Sequence, residues 1–202
     1  MTQAQRRLFL IQSLLKEKTE YRDMGIPADI NSQRQLLRGL MNIRAPQSVS
    51  ADFLQTQDAY LQGETAAKGI TDIADLTPIQ PGLYLWQGDI TTLKCDAIVN
   101  AANSSMTGCY IPNHRCIDNA IHTFAGVELR LACAERMEQQ GYPEPTGQAK
   151  ITPALFPTRG TNNCCAWSSS STAMFCLKKV EAAKMIIAEL IAQPITMDRS
   201  VS

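Results

Sequence analysis

Two thiols, an imidazole and a carboxylate fall within the eleven residues from Gly108 to Asp118. Cys109, His114 and Cys116 are spaced C-x4-H-x-C. Thiolate and neutral imidazole are preferred zinc ligands, and three protein ligands leave one tetrahedral position open, as a catalytic site requires. His114 and Cys116 flank a single residue, so no helix can put them on one face, where neighbours lie three or four positions apart. A loop stiffened by Pro112 has to converge them. The spacing is not a double-CxxC signature, so two buried free cysteines and a surface histidine are the plain alternative.

The elements that must carry this loop can be read on either side of it. Ala97-Ile98-Val99-Asn100 is a short apolar strand of the kind buried in a parallel sheet. It runs into Asn100-Ala101-Ala102-Asn103. After the loop, a helix is expected from about Cys116 to Glu138, with Ile117, Ala120, Ile121, Phe124 and Ala125 as its early apolar positions. Strand, loop and helix in this order form an α/β unit, which gathers ligands at the C-terminal ends of its strands. Upstream, Leu83 to Trp86 reads as a strand and Gly88 to Thr91 as a turn, after a loop punctuated by Pro78 and Pro81.

Before residue 80 the pattern is helical. Leu8, Ile11, Leu14 and Leu15 recur at helical spacing within residues 3 to 18. A second helix spans residues 31 to 42, capped at Asn31 or Ser32, and a third opens at Ser50-Ala51-Asp52. With no His or Cys and no paired acids, this region reads as a packing extension.

The 202 residues suit one domain plus an extension, and 45% hydrophobic residues suffice for a core. Nineteen basic and nineteen acidic side chains cancel, which argues against capture of nucleic acid. No apolar run is long enough for a membrane span, and the polar N-terminus is unlike a signal peptide. Seven cysteines without secretory features read as reduced thiols in the cytoplasm.

Gly88-Asp89-Ile90-Thr91, Asp96 to Ser104, and Ile117-Asp118-Asn119-Ala120-Ile121-His122 together resemble the macrodomain, an ADP-ribose-binding fold of three α/β/α layers. Cys109, His114 and Cys116 resemble the zinc ligands of its microbial branch, which also has a helical N-terminal extension. The resemblance therefore implies an extension over residues 1–80 and a macrodomain-like α/β domain over 81–202. It implies one zinc ion and hydrolysis of ADP-ribose from mono-ADP-ribosylated protein. It also implies a lipoyl-carrier protein as substrate, modified by a sirtuin-type transferase.

Residue by residue, the resemblance gives Asp89 the adenine amino group, with the Ile90 backbone beside it. Asn103 would orient the distal ribose, and Asp118, next to Ile117, would stand near the attacking water. Ser171, Thr172, Ala173, Met174 and Phe175 look like the second phosphate loop, with Ala173 in place of a glycine. Taken alone, Asp89 reads as a turn or cap residue, Asn103 as a turn residue and Asp118 as a first-turn helix acid. His122 is a further candidate base, or a core histidine.

After Thr152 the likeness lapses. Pro153 to Trp167 is rich in loop residues, with a short strand from Cys164 to Ser169 supporting the second phosphate loop, and one strand–helix segment, on the order of 30 residues, looks absent. The hydrolase is expected to be impaired by this loss, and two alternatives to it follow: a non-catalytic ADP-ribose reader, or a degenerate, inactive remnant.

Overall fold

Thr2 starts the first helix with a reciprocal cap. Its hydroxyl accepts from the Gln5 N–H at 3.2 Å, and the Gln5 side chain accepts from the Thr2 N–H at 2.8 Å, so two orphan donors are satisfied. This computed structural model describes residues 1–95, 97–153, 164–168 and 176–177. Helix α1 (Gln3–Lys16) buries Leu10, Ile11, Leu14 and Leu15. Helix α2 (Ile30–Ile43) is capped by Asp29, which accepts from the Ser32 N–H at 2.8 Å, not by Asn31 or Ser32. Helix α3 (Ala51–Lys68) is capped by Ser50 as expected. The three helices share a core with Leu37, Leu40, Phe53 and Leu61.

Strand β1 (Thr71–Asp72) pairs in parallel with β2 (Leu93–Lys94). Strand β3 (Ala97–Ala101) lies inside a second sheet with β4 (Ala149–Pro153), β5 (Cys164–Ser168) and β6 (Cys176–Leu177), in the order β4-β5-β3-β6. The architecture is α/β, and the sheet is mixed. β3 runs parallel to β5 and antiparallel to β6, and β4 is antiparallel to β5. Ile98 of β3 meets Ile121 of helix α4 (Ile117–Ala125) and Leu129 of helix α5 (Val127–Gln140) in the second core. Phe124 packs against both cores, and Val127 sits in that of the N-terminal helices. No helix among the described residues is long and apolar enough to cross a membrane.

Two further expectations need correction. Leu83 to Trp86 is not a strand. The Leu83 N–H donates to the Gln80 carbonyl and its own carbonyl accepts from the Ile79 N–H, both at 2.9 Å, so a tight turn consumes the groups a ladder would use. Leu85 is 82% exposed.

The helix expected from Cys116 to Glu138 is two helices. Gly126 takes φ +86°, where a Cβ would be strained and would strike the Gln57 side chain. Gln57 of α3 then accepts from the Val127 N–H at 2.9 Å and so supplies the cap for α5.

Within the loop-rich stretch Pro153 to Trp167, the short supporting strand expected from Cys164 is present as β5, Cys164–Ser168. With β5 on one side and β6 on the other, β3 is flanked by strands on both edges.

Candidate metal centre and its surroundings

Met106 and Asn113 adopt left-handed backbone, φ 57° and 56°, and reverse the chain so that the two ends of the cysteine-histidine loop approach each other. The ligand atoms of Cys109, His114 and Cys116 lie within 4.8 Å of one another. Cys109 Sγ stands 3.5 Å from His114 Nδ1. On a tetrahedral zinc with Zn–S near 2.3 Å and Zn–N near 2.0–2.1 Å, a sulfur and a nitrogen ligand stand about 3.6 Å apart. Donor chemistry and spacing therefore both fit zinc. Cys116 is also the N-cap of α4, its sulfur accepting from the Asn119 N–H at 3.4 Å. Burial pushes its thiol pKa up, against that hydrogen bond, whereas a coordinated metal would deprotonate it.

The loop is held by the N-terminal helices. Arg38 of α2 donates to Asn119 Oδ1 from Nε at 3.2 Å and Nη2 at 2.8 Å, and to the His114 carbonyl at 3.0 Å. Asn119 in turn donates to the Ile111 carbonyl at 3.1 Å. Asn42 accepts from the Asn113 N–H at 3.0 Å and donates to Thr123 Oγ1 at 3.0 Å. Arg130 of α5, only 4% exposed, donates to the carbonyls of Asn42 at 2.6 Å and Arg44 at 2.7 Å, satisfying the end of α2. Its Nε donates to the Thr107 carbonyl at 2.7 Å, and its guanidinium stacks 4.1 Å from the Tyr110 ring. Helix α2, read as mere packing, thus fastens the cysteine-histidine loop through Arg38 and Asn42, and Arg130 of α5 ties the same loop to the end of α2.

Asp118 lies in the first turn of α4 and is 6% exposed. Its Oδ1 accepts from Asn100 Nδ2 at 2.7 Å and stands 3.6 Å from His122 Nε2. Burial raises the Asp118 pKa, with the Asn100 hydrogen bond opposing. Burial also holds His122 neutral, its pKa lowered to about 3. Gly108 at φ +83° leaves room for the His122 ring, into which a Cβ would project.

Asn103 is exposed and braces the loop, donating to the Gly108 carbonyl at 3.1 Å and accepting from Ser105 at 2.6 Å. Asp89 lies beside the end of α3, and the turn it opens packs against α4. Asp89 caps the short turn Ile90–Thr92, accepting from the Thr91 N–H at 3.0 Å, and its other oxygen accepts from Lys68 Nζ at 2.8 Å. Burial pushes the Asp89 carboxyl up, but Lys68 and Thr91 outweigh it and leave the pKa below the ordinary value. Lys68 also lies 3.4 Å from the centre of the Phe124 ring. Ile90 is buried in the second core, and Ile117 is packed against that core. The expected phosphate loop, Ser171, Thr172, Ala173, Met174 and Phe175, lies outside the described residues.

Residues 99–186 match the Macro domain family. The match takes in most of β3, the metal loop, α4 and α5. Over 159 residues the chain is 58% identical to a "Protein-ADP-ribose hydrolase" of Treponema medium, covering 77% of this chain and 61% of that protein. It is 48% identical over 145 residues to a "Protein-ADP-ribose hydrolase" of Staphylococcus aureus strain MRSA252, covering 71% of this chain and 54% of that one. A "Probable bifunctional ADP-ribose hydrolase/ADP-ribosyltransferase" of Fusarium oxysporum is 41% identical over 138 residues, covering 62% of this chain and 23% of that protein. The chain spans little more than half the length of the first two relatives.

Arg38, Asn42, Arg130, Lys68 and Asn100 did not stand out in the sequence. Asn100 carried the one available signal, a polar residue closing an apolar strand. It is fully buried, and its Oδ1 has no hydrogen-bond partner among the described residues.

Proposed function

We propose that this chain is a zinc-dependent hydrolase that releases ADP-ribose from mono-ADP-ribosylated protein, built as a macrodomain-like three-layer domain behind a helical extension. The observation that carries it is the Cys109, His114 and Cys116 cluster, placed at the start of the helix that buries Asp118. The Macro match and the hydrolase relatives support the substrate class. Bound zinc would supply Lewis-acid chemistry at its open position.

The chain's own residues do the rest. Asp118, in its ionised form, takes a proton from the water whose oxygen bonds to the anomeric carbon, while the bond from that carbon to the modified side chain breaks and the side-chain atom leaves with the electron pair. Asn100 holds the carboxylate in one orientation. Asn103, exposed beside the loop, orients the distal ribose. Asp89 accepts from the adenine amino group while Lys68 keeps it ionised. His122 is neutral and buried, and it packs the loop instead of serving as base. A lipoyl carrier as substrate and a sirtuin-type transferase as source of the modification rest on the resemblance alone. So does the absent strand–helix segment.

A reader that binds without cleaving is the second reading. It is favoured by the burial of Asp118, at 6% exposure. Elemental mass spectrometry of purified protein separates them at the metal. The hydrolase reading expects one zinc per chain, lost in Cys116→Ala. Zinc-free protein, or zinc unaffected by that substitution, would contradict it.

A further inference from the structure

A hydrolase acting on a modified protein must hold the protein as well as the nucleotide, and none of the residues assigned above contacts the protein part. A groove of about 470 Å³ lies between α2, α3 and α4, on the side where Asn113 and Arg115 of the metal loop emerge. Its floor is apolar, with Tyr60 at 4% exposure and Phe124 among the lining side chains. Its rim carries three guanidinium groups, Arg34, Arg38 and Arg115, against one carboxylate, Glu64. The whole chain balances nineteen bases with nineteen acids, so this surplus of positive charge is local.

The three arginines are not equivalent. Arg34 is neutralised by Glu64, its Nε 2.9 Å from Oε2. Arg38 is committed to Asn119 and the His114 carbonyl. Arg115 is exposed, with no hydrogen bond or ion pair among the described residues, and it lies between two of the metal ligands in sequence. Anything seated in the groove therefore touches the metal loop directly. An apolar floor with a cationic rim suits an extended segment that alternates apolar and acidic side chains, because such a segment buries the one and pairs the other.

We propose that this groove docks an acidic, apolar-containing segment of the protein that carries the ADP-ribose, with Arg115 as its free cationic anchor and Glu64 as an internal competitor for Arg34. The assignment rests on the hydrolase reading for the identity of the partner, but the binding itself can be measured without ADP-ribose or zinc chemistry.

The test uses the full chain and a fluorescein-labelled peptide, Glu-Leu-Glu-Glu-Leu-Glu, followed by anisotropy at low and high salt. The peptide is expected to bind at low salt and to weaken as salt screens the contacts. Arg115→Glu should weaken binding, and Glu64→Gln, by freeing Arg34, should tighten it, each by roughly two- to fivefold. A matched peptide with lysine in place of glutamate should not bind. Absence of peptide binding, or equal affinity for all three proteins, would overturn the proposal. So would a salt-sensitive dimer that Arg115→Glu dissociates, since the occupant would then be a second copy of this chain. Calorimetry with free ADP-ribose on the unaltered chain keeps the two readings apart. Protein that binds the peptide but not the nucleotide removes the hydrolase reading and leaves the groove. Protein that binds the nucleotide but not the peptide removes the groove alone.

Discussion

Arg38 of α2 and Asn119 of α4 are joined by two hydrogen bonds, at 3.2 Å and 2.8 Å, across 81 positions of sequence. The same guanidinium reaches the His114 carbonyl at 3.0 Å, and the Asn119 N–H donates to the Cys116 sulfur at 3.4 Å. One pair thus grips two of the three candidate metal ligands. Groups that orient ligands commonly set metal affinity by tens of fold. Arg38→Ala is therefore expected to lower zinc affinity by about tenfold, read by competition with a chromophoric chelator. Unchanged affinity in a folded variant would mean that the loop closes without the extension.

Gly108 is expected to tolerate no side chain. At φ +83° any L residue is strained, and the added Cβ would project into the buried His122 ring. Strain of this kind costs about 1–3 kcal/mol before the clash is counted. Gly108→Ala should lower the urea midpoint accordingly, and a midpoint equal to the parent's would show that the loop relaxes freely. His122→Ala, which removes the ring, should recover part of the loss in the double variant.

How far this centre could be read in advance depended on chemistry more than on pattern. Cys109, His114 and Cys116 were legible because few residue types bind zinc, and the structure clusters all three. The ordinary helical look of Arg38 and Asn119 gave no hint that they meet. The division at Gly126 was hidden for the same reason, because its cap comes from Gln57, 70 positions away. Leu83 to Trp86 alternates like a strand, yet alternation says nothing about a partner, and a local turn takes the backbone bonds instead. Helices α1 to α3 were largely legible from their apolar periodicity and, for α3, from its Ser50 cap.

Asp89 and Lys68 make a second test. Asp89→Ala is expected to weaken ADP-ribose binding by about 1.5–3 kcal/mol, the worth of a hydrogen bond to a charged group. Zinc content should stay the same, because Asp89 is not one of the three candidate ligands. Lys68→Met should weaken binding less, since it leaves the acceptor in place and removes only the 2.8 Å ion pair. Calorimetry that finds parental affinity in Asp89→Ala would put the adenine elsewhere.

His122 should make the fold acid-sensitive. Its pKa falls from 6.5 to about 3 on folding, first through burial and then through the nearby Arg130 charge. Between those values the unfolded chain binds the extra proton, so stability is full above pH 6.5 and declines as pH falls toward about 3. The contribution is on the order of 4 kcal/mol across that window. Asp118, 3.6 Å away with a raised pKa, shifts stability in the opposite sense. It is kept in the variant, so the difference between the two reports the histidine together with its contact to Asp118. His122→Leu should show a flatter loss of stability from pH 6.5 to 4 in denaturant titrations, and parallel curves would contradict the buried neutral state.

The central claim is a metal-dependent hydrolysis, and the most direct measurement is release of labelled ADP-ribose from a mono-ADP-ribosylated protein in a single turnover. The protein is compared as purified, after chelation, and after one equivalent of zinc is restored. The account predicts release by the first and third samples, with the chelated one slowed by at least about a hundredfold, a modest share of what metal activation of water supplies. Equal release by all three, or no release by any, would contradict it.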